Sequence, residues 1–273
     1  MRFAFDPGVL ALLLLGAGLY IRAVVRLSRR GYRVPRLQQV FWWTGMTLLT
    51  AGLLGPPAAY SDELFWAHMT EHLLIADLAA PFLLAGIRTP VGLFMPPKEV
   101  LVLVARNKPL RGFMSFLTKP IVALPLAVII LYGWHIGPAF TAATTNPWVH
   151  ALQHQSFLIG NLLLWWPAIE PTKRPMPAKL WKVGYLLAGR MASILMGALF
   201  LVSSRPFYAK LYGAGDAKHG ITSLTDQQIG ASIMMVTDVI VMMIVLGIFF
   251  SLAAAEGARS DARHDLEREA PTT

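Results

Sequence analysis

The sequence predicts an all-α fold: a polytopic membrane protein of seven transmembrane helices, N-terminus outside and C-terminus in the cytoplasm. Three observations predict it. Of 273 residues, 55% are hydrophobic and only 14% are charged, against roughly 25% charged in an average soluble domain. Seven runs approach the ~20 apolar residues needed to cross a bilayer. The segments between them alternate between rich and poor in Lys and Arg, and basic loops are retained in the cytoplasm.

The first run, 8–27, has Arg2 before it and Arg26, Arg29, Arg30, Arg33 and Arg36 after it. It has no small-x-small cleavage site, so it reads as an uncleaved helix that enters from outside rather than as a signal peptide. The second run, 38–56, stops at Gly55-Pro56-Pro57, and the third, 64–86, follows a stretch without Lys or Arg. The third loop, 87–119, carries Arg88, Lys98, Arg106, Lys108, Arg111 and Lys119, and is therefore cytoplasmic. Its stretch Val100 to Val104 is too short to span and reads as an amphipathic helix on the cytoplasmic interface. The fourth run, 120–137, ends at Gly137-Pro138, and the fifth, 148–168, follows a segment without basic residues. Lys173, Arg174, Lys179 and Lys182 mark the fifth loop as cytoplasmic. The sixth run, 182–203, carries Gly189, Ser193 and Gly197 at every fourth position, a small-residue stripe suited to close helix packing. The seventh, 227–253, leads to a tail with Arg259, Arg263 and Arg268.

Two units follow: a transmembrane domain over 1–254 and a charged cytoplasmic tail over 255–273, expected to be disordered. The formal net charge of +9 is explained by the loops. No basic stretch is interleaved with aromatics, so nucleic acid is not expected as a partner; membrane lipid is. The chain contains no cysteine, which excludes disulfides, thiolate metal sites and thiol nucleophiles. A metal site would have to use His, Met, carboxylate or backbone ligands.

The topology gives the histidines a common depth. His68 and His72 fall in the first turns of the third run, His135 in the last turn of the fourth, and His150 and His154 in the first turns of the fifth. All five come to lie near the outer face, roughly 3–12 Å below it at 1.5 Å per residue. His68/His72 and His150/His154 are i, i+4 pairs, so each pair presents two imidazoles on one helical face. Two such pairs on neighbouring helices can surround an ion, with His135 completing the set. The zinc-protease signature His-Glu-x-x-His is absent, since Glu71 stands directly before His72, and no enzymatic activity is expected.

On the seventh run Gln227, Met234, Asp238 and Met242 lie on one side. Thioether favours Cu(I) and imidazole also suits copper, so a His set joined by Met234 points to copper. Met69, Met191 and Met196 are further candidates, although methionine also commonly fills apolar cores. Asp77, Arg190 and Asp238 lie near mid-membrane, where ionisable groups need partners. Arg190 is expected to pair with Asp238 or Asp77. Asp77 is expected on the side of its helix opposite the His pair.

These segments are similar to those of the CtaG family of polytopic cytochrome c oxidase assembly factors, which accompany caa-type oxidases in bacteria. The resemblance rests on His68-Met69-Thr70-Glu71-His72 followed by Ala80-Pro81 and Gly86, on Trp134-His135, on His150-Ala151-Leu152-Gln153-His154 with Trp165-Trp166-Pro167, and on Asp226-Gln227-Gln228-Ile229-Gly230 leading to Met234. The family often carries Gln where this chain has Glu71. The resemblance implies a multi-pass protein of the bacterial cytoplasmic (inner) membrane. It also implies a role in assembling haem–copper oxidase, with oxidase subunits or other assembly factors as partners and a part in providing copper. Two alternatives stand beside it: a haem-binding redox protein with paired histidines as axial ligands, and a transporter or scaffold, for which no internal repeat is visible.

Overall fold

The computed structural model describes residues 3–172 and 180–269, and within them the chain is helical with no strand. Each apolar run becomes a helix: α1 (Pro7–Arg29), α2 (Arg36–Leu54), α3 (Phe65–Gly86), α4 (Pro120–Trp134), α5 (Pro147–Ile169), α6 (Leu180–Val202) and α7 (Ser223–Glu269). Local chemistry sets several starts. The Asp6 carboxylate accepts from the N–H groups of Gly8 and Val9 ahead of α1, and Asn146 does the same for Trp148 and Val149 ahead of α5; Pro occupies the first position of both helices.

Four of the helices are long and apolar enough to cross a membrane, α1, α3, α6 and the Ser223–Ser251 part of α7, and a fifth span arises if helix Lys108–Leu117 and α4, bent by 70°, count as one. The seven expected spans therefore exceed those that length and composition support. The shortfall has identifiable causes. α2 opens on Arg36, Gln38 and Gln39, α5 carries His150, Gln153, His154 and Asn161, and α4 is only 15 residues long.

The third loop holds three short helices, Val91–Phe94, Lys98–Arg106 and Lys108–Leu117, where one interfacial helix was expected. Phe113, Met114 and Phe116 of the last are exposed beside Lys108 and Arg111. α7 continues to Glu269, into the stretch expected to be a disordered tail, and residues 270–273 lie outside those described. Lys173, Arg174 and Lys179 of the fifth loop also lie outside the described residues. Lys182 is fully buried at the start of α6, where its ammonium meets Glu170 at 2.7 Å and donates to the Ala168 carbonyl at 2.9 Å.

α3 is the central element, packed against α2, α5 and α7. Against α2 the approach is set by glycine: a Cβ on Gly86 would lie 2.7 Å from the Cα of Trp42. The small stripe of α6 serves two neighbours. A Cβ on Gly197 would meet the Met235 side chain of α7 at 2.7 Å, and one on Gly189 would meet Leu164 of α5 at 3.1 Å. Within α3 the segment Leu73–Leu78 is a π-helix between two α-helical stretches, Phe65–His72 and Ala79–Gly86.

Candidate metal centre

Two backbone starts bring the histidines together. α3 begins at Phe65, where the Asp226 carboxylate of α7 accepts from the backbone N–H of Phe65 at 2.6 Å and of Trp66 at 2.9 Å. A carboxylate at a helix N-terminus satisfies orphan donors and the positive end of the helix dipole. The cap comes from another helix, so it fixes the first turn of α3, with His68 and His72, against α7. The Asn146 cap fixes the first turn of α5, with His150 and His154.

The four imidazoles face one another across the α3–α5 contact. Ring centroids are 4.3 Å apart for His68–His72, 4.1 Å for His150–His154, 5.1 Å for His68–His150 and 5.2 Å for His72–His154. Two sets of ligand atoms are close enough to share an ion, each within 4.8 Å: His68, His72 and His150, and Glu71, His150 and His154. His68, His72, His154 and Glu71 are buried, and His150 is the one with partial exposure.

The hydrogen bonding is incomplete in a telling way. Buried polar atoms normally have partners. Here Nε2 of His68, His72, His150 and His154 and Nδ1 of His72 have none among the described residues. The nearest acceptor to His154 Nε2 is Glu71 Oε1 at 3.5 Å, too long for a good hydrogen bond. The Tyr212 hydroxyl lies 3.2 Å from His68 Nδ1. When Nδ1–H is donated to that oxygen, Nε2 is left as a bare lone pair, the arrangement that metal-binding imidazoles use. Tyr212 is buried, and desolvation pushes its phenol well above the usual range, so it stays neutral.

His135 joins neither set. His135 closes α4, and its Nδ1–H donates to the Leu131 carbonyl at 2.7 Å, so its Nε2 is a lone pair, buried and without a partner among the described residues. Phe140 and Phe157 flank its ring, at 6.3 and 6.1 Å. Met234 is buried in an aromatic cluster with Phe65, Phe200 and Tyr212. His135 and Met234 line a cavity of about 50 Å³ that His72, Met69, Asp77, Asn161 and Arg190 also line. Of the other candidate methionines, Met196 is buried in the aromatic cluster and Met191 is exposed.

Three features escaped the sequence reading. Glu71 belongs to the cluster, and its i, i+3 spacing from His68 is the signal that puts it on the α5 side. Tyr212 reaches His68 from a short helix between α6 and α7, Ala209–Lys218, with no sequence signal. Asp77 was expected opposite the His pair, yet it lines the same cavity as His72. The π-helix explains this, because Asp77 stands five positions after His72 and a π turn closes from i to i+5, which returns Asp77 to the face of His72.

The family model described as cytochrome c oxidase caa3 assembly factor matches residues 18–255. Similar curated proteins include uncharacterised proteins of Mycobacterium bovis and Mycobacterium tuberculosis, each 26% identical over 259 residues, which covers 89% of this chain and 37% of theirs. One from Mycobacterium leprae is 24% identical over 266 residues, covering 92% of this chain and 38% of its own length. The chain thus spans less than two fifths of the curated relatives it matches. No solved structure matches it.

Proposed function

Because the chain belongs to the cytochrome c oxidase caa3 assembly factor family, we propose that it takes up copper at the His68, His72, His150, His154 and Glu71 cluster and helps supply it to the oxidase. The observation that carries this reading is the set of buried imidazole nitrogens without hydrogen-bond partners. Leaving a buried polar group unsatisfied costs about 1–3 kcal/mol each, and an ion sharing several of those lone pairs removes the cost. The ion is cargo, so the site has to exchange it. Partial exposure of His150 gives an entry point, and a ligand set without thiolate permits release.

The same reading makes the protein a multi-pass protein of the bacterial cytoplasmic membrane, with all seven long helices crossing and the His layer near the outer face. The basic first and third loops support this orientation. Oxidase subunits or other assembly factors are the partners, and the role is not catalytic. A haem between the paired histidines is disfavoured, because the cavity beside them is about 50 Å³, room for a few waters or an ion rather than a macrocycle.

The test is the metal content of purified protein, with and without reductant. Wild type is expected to hold copper. Replacing His68, His72, His150 and His154 together by Ala is expected to remove at least one equivalent. A wild-type protein that takes up no copper even with reductant present, or a variant that holds as much as wild type, would overturn the proposal.

A further inference from the structure

We infer that the cavity beneath the outer cluster is a second binding site, for a soft monovalent cation, with His135, Met69 and Met234 as its ligands and His72 as the side chain shared with the outer cluster. The inference rests on the copper reading above and divides that one cluster into two sites in series.

The first argument is the tautomer of His135. A backbone carbonyl can only accept, so the 2.7 Å contact with Leu131 assigns the proton to Nδ1 and leaves Nε2 as a lone pair. That lone pair is buried and unpartnered, and His135 lines the cavity. A carbonyl holding the far nitrogen is the arrangement that orients imidazoles toward metals. The second argument is the rest of the lining. Met69 and Met234, both buried, contribute thioethers, and His72, also buried, has no partner on either nitrogen. One imidazole with two thioethers is a set that selects Cu(I) or Ag(I) over harder divalent ions. The outer cluster, with nitrogen and a carboxylate, has no such preference.

The third argument is charge. Arg190 lines the same cavity and pairs with both Asp77 at 2.6 Å and Asp238 at 2.9 Å. With both carboxylates ionised, one guanidinium leaves one formal negative charge unbalanced in an apolar bundle. A cation of charge +1 in the adjoining cavity balances it, whereas a divalent ion overcompensates.

His72 has one lone pair to give at a time. With the ion held outside, it serves His68 and His150; on rotation it serves His135 and the thioethers. Transfer is ligand exchange, nitrogen for sulfur, with copper remaining Cu(I) and no electron moving. The outer cluster captures the ion, and the inner site selects its oxidation state.

The experiment is X-ray absorption of the full-length protein in detergent, loaded anaerobically with Cu(I) under ascorbate. Wild type is expected to show both nitrogen and sulfur scatterers. The Met69→Leu/Met234→Leu variant, nearly isosteric and so expected to fold, is expected to keep copper on nitrogen alone. His68→Ala/His150→Ala/His154→Ala, which disables only the outer cluster, is expected to keep copper with sulfur. Copper-loaded wild type without a sulfur signal, or a double Met variant with the signal intact, would overturn the inner site while leaving the outer one standing. Wild type that takes up no copper overturns both.

Discussion

Arg190 is 2% exposed and holds Asp77, Asp238 and, at 3.3 Å, the Asn161 side-chain oxygen. Removing the guanidinium strands two carboxylates in an apolar interior. Breaking a buried pair in this way costs about 3–5 kcal/mol. Arg190→Leu is therefore expected to lower the thermal unfolding midpoint in detergent sharply, and Arg190→Leu/Asp77→Asn/Asp238→Asn to recover most of the loss. A triple variant no more stable than the single one would show that Arg190 acts through packing, for example on Trp165, 5.9 Å away, rather than through charge. The pairing was legible in the sequence because three ionisable residues in apolar runs must compensate one another. The sharing of one Arg between two Asp was not, since either partner alone satisfied the pattern. Glu71 was noted only as standing before His72, and its burial between α3 and α5 is what makes it a ligand candidate.

At the scale of the element, α3 carries both ends of the site. His68 and His72 face α5 from its first stretch, and Asp77 faces Arg190 from the π segment Leu73–Leu78. Helical periodicity of 3.6 places residues 72 and 77 on different faces, which is why the sequence separated them. π turns carry no reliable sequence signature, so this register was beyond reach. The consequence is testable. Deleting Leu74 removes the extra residue of the π turn, so the segment closes to a regular α-helix with Asp77 four positions after His72, about 40° around and still on its face. Far-UV circular dichroism is expected to show unchanged helicity, and copper binding is expected to be kept. A deletion variant that folds but holds no copper would show that the π segment does more than set this register. Apart from the end of α7, which runs to Glu269 rather than 253, the helix positions were legible to within a few residues, because apolar runs bounded by Pro and Gly reflect a physical limit on what can enter a bilayer. The spans were harder to count, because the helices that carry chemistry, above all α5, give up apolar residues to do so.

For the whole molecule the decisive quantity is sidedness. Copper capture from outside requires the turn between α4 and α5, just above His150, to face outward and the basic third loop to face the cytoplasm. The orientation derives from charge asymmetry alone, yet it converts five histidines on three helices into one layer. The chain lacks cysteine, so single cysteines can be labelled without background. Thr145 and Ser115 are exposed, the first in the helix Gly137–Thr145 before α5 and the second in Lys108–Leu117. Thr145→Cys is expected to react with a membrane-impermeant maleimide in intact spheroplasts. Ser115→Cys is expected to react only after permeabilisation. The reverse pattern would turn the His layer toward the cytoplasm, where the ion would have to come from the cytoplasmic pool, and the delivery route proposed above would fail even if copper binding itself were upheld. Equal labelling of both sites in intact spheroplasts would place the third loop and the α4–α5 turn on one side, which requires an even number of crossings between them and removes α4 from the set of spans.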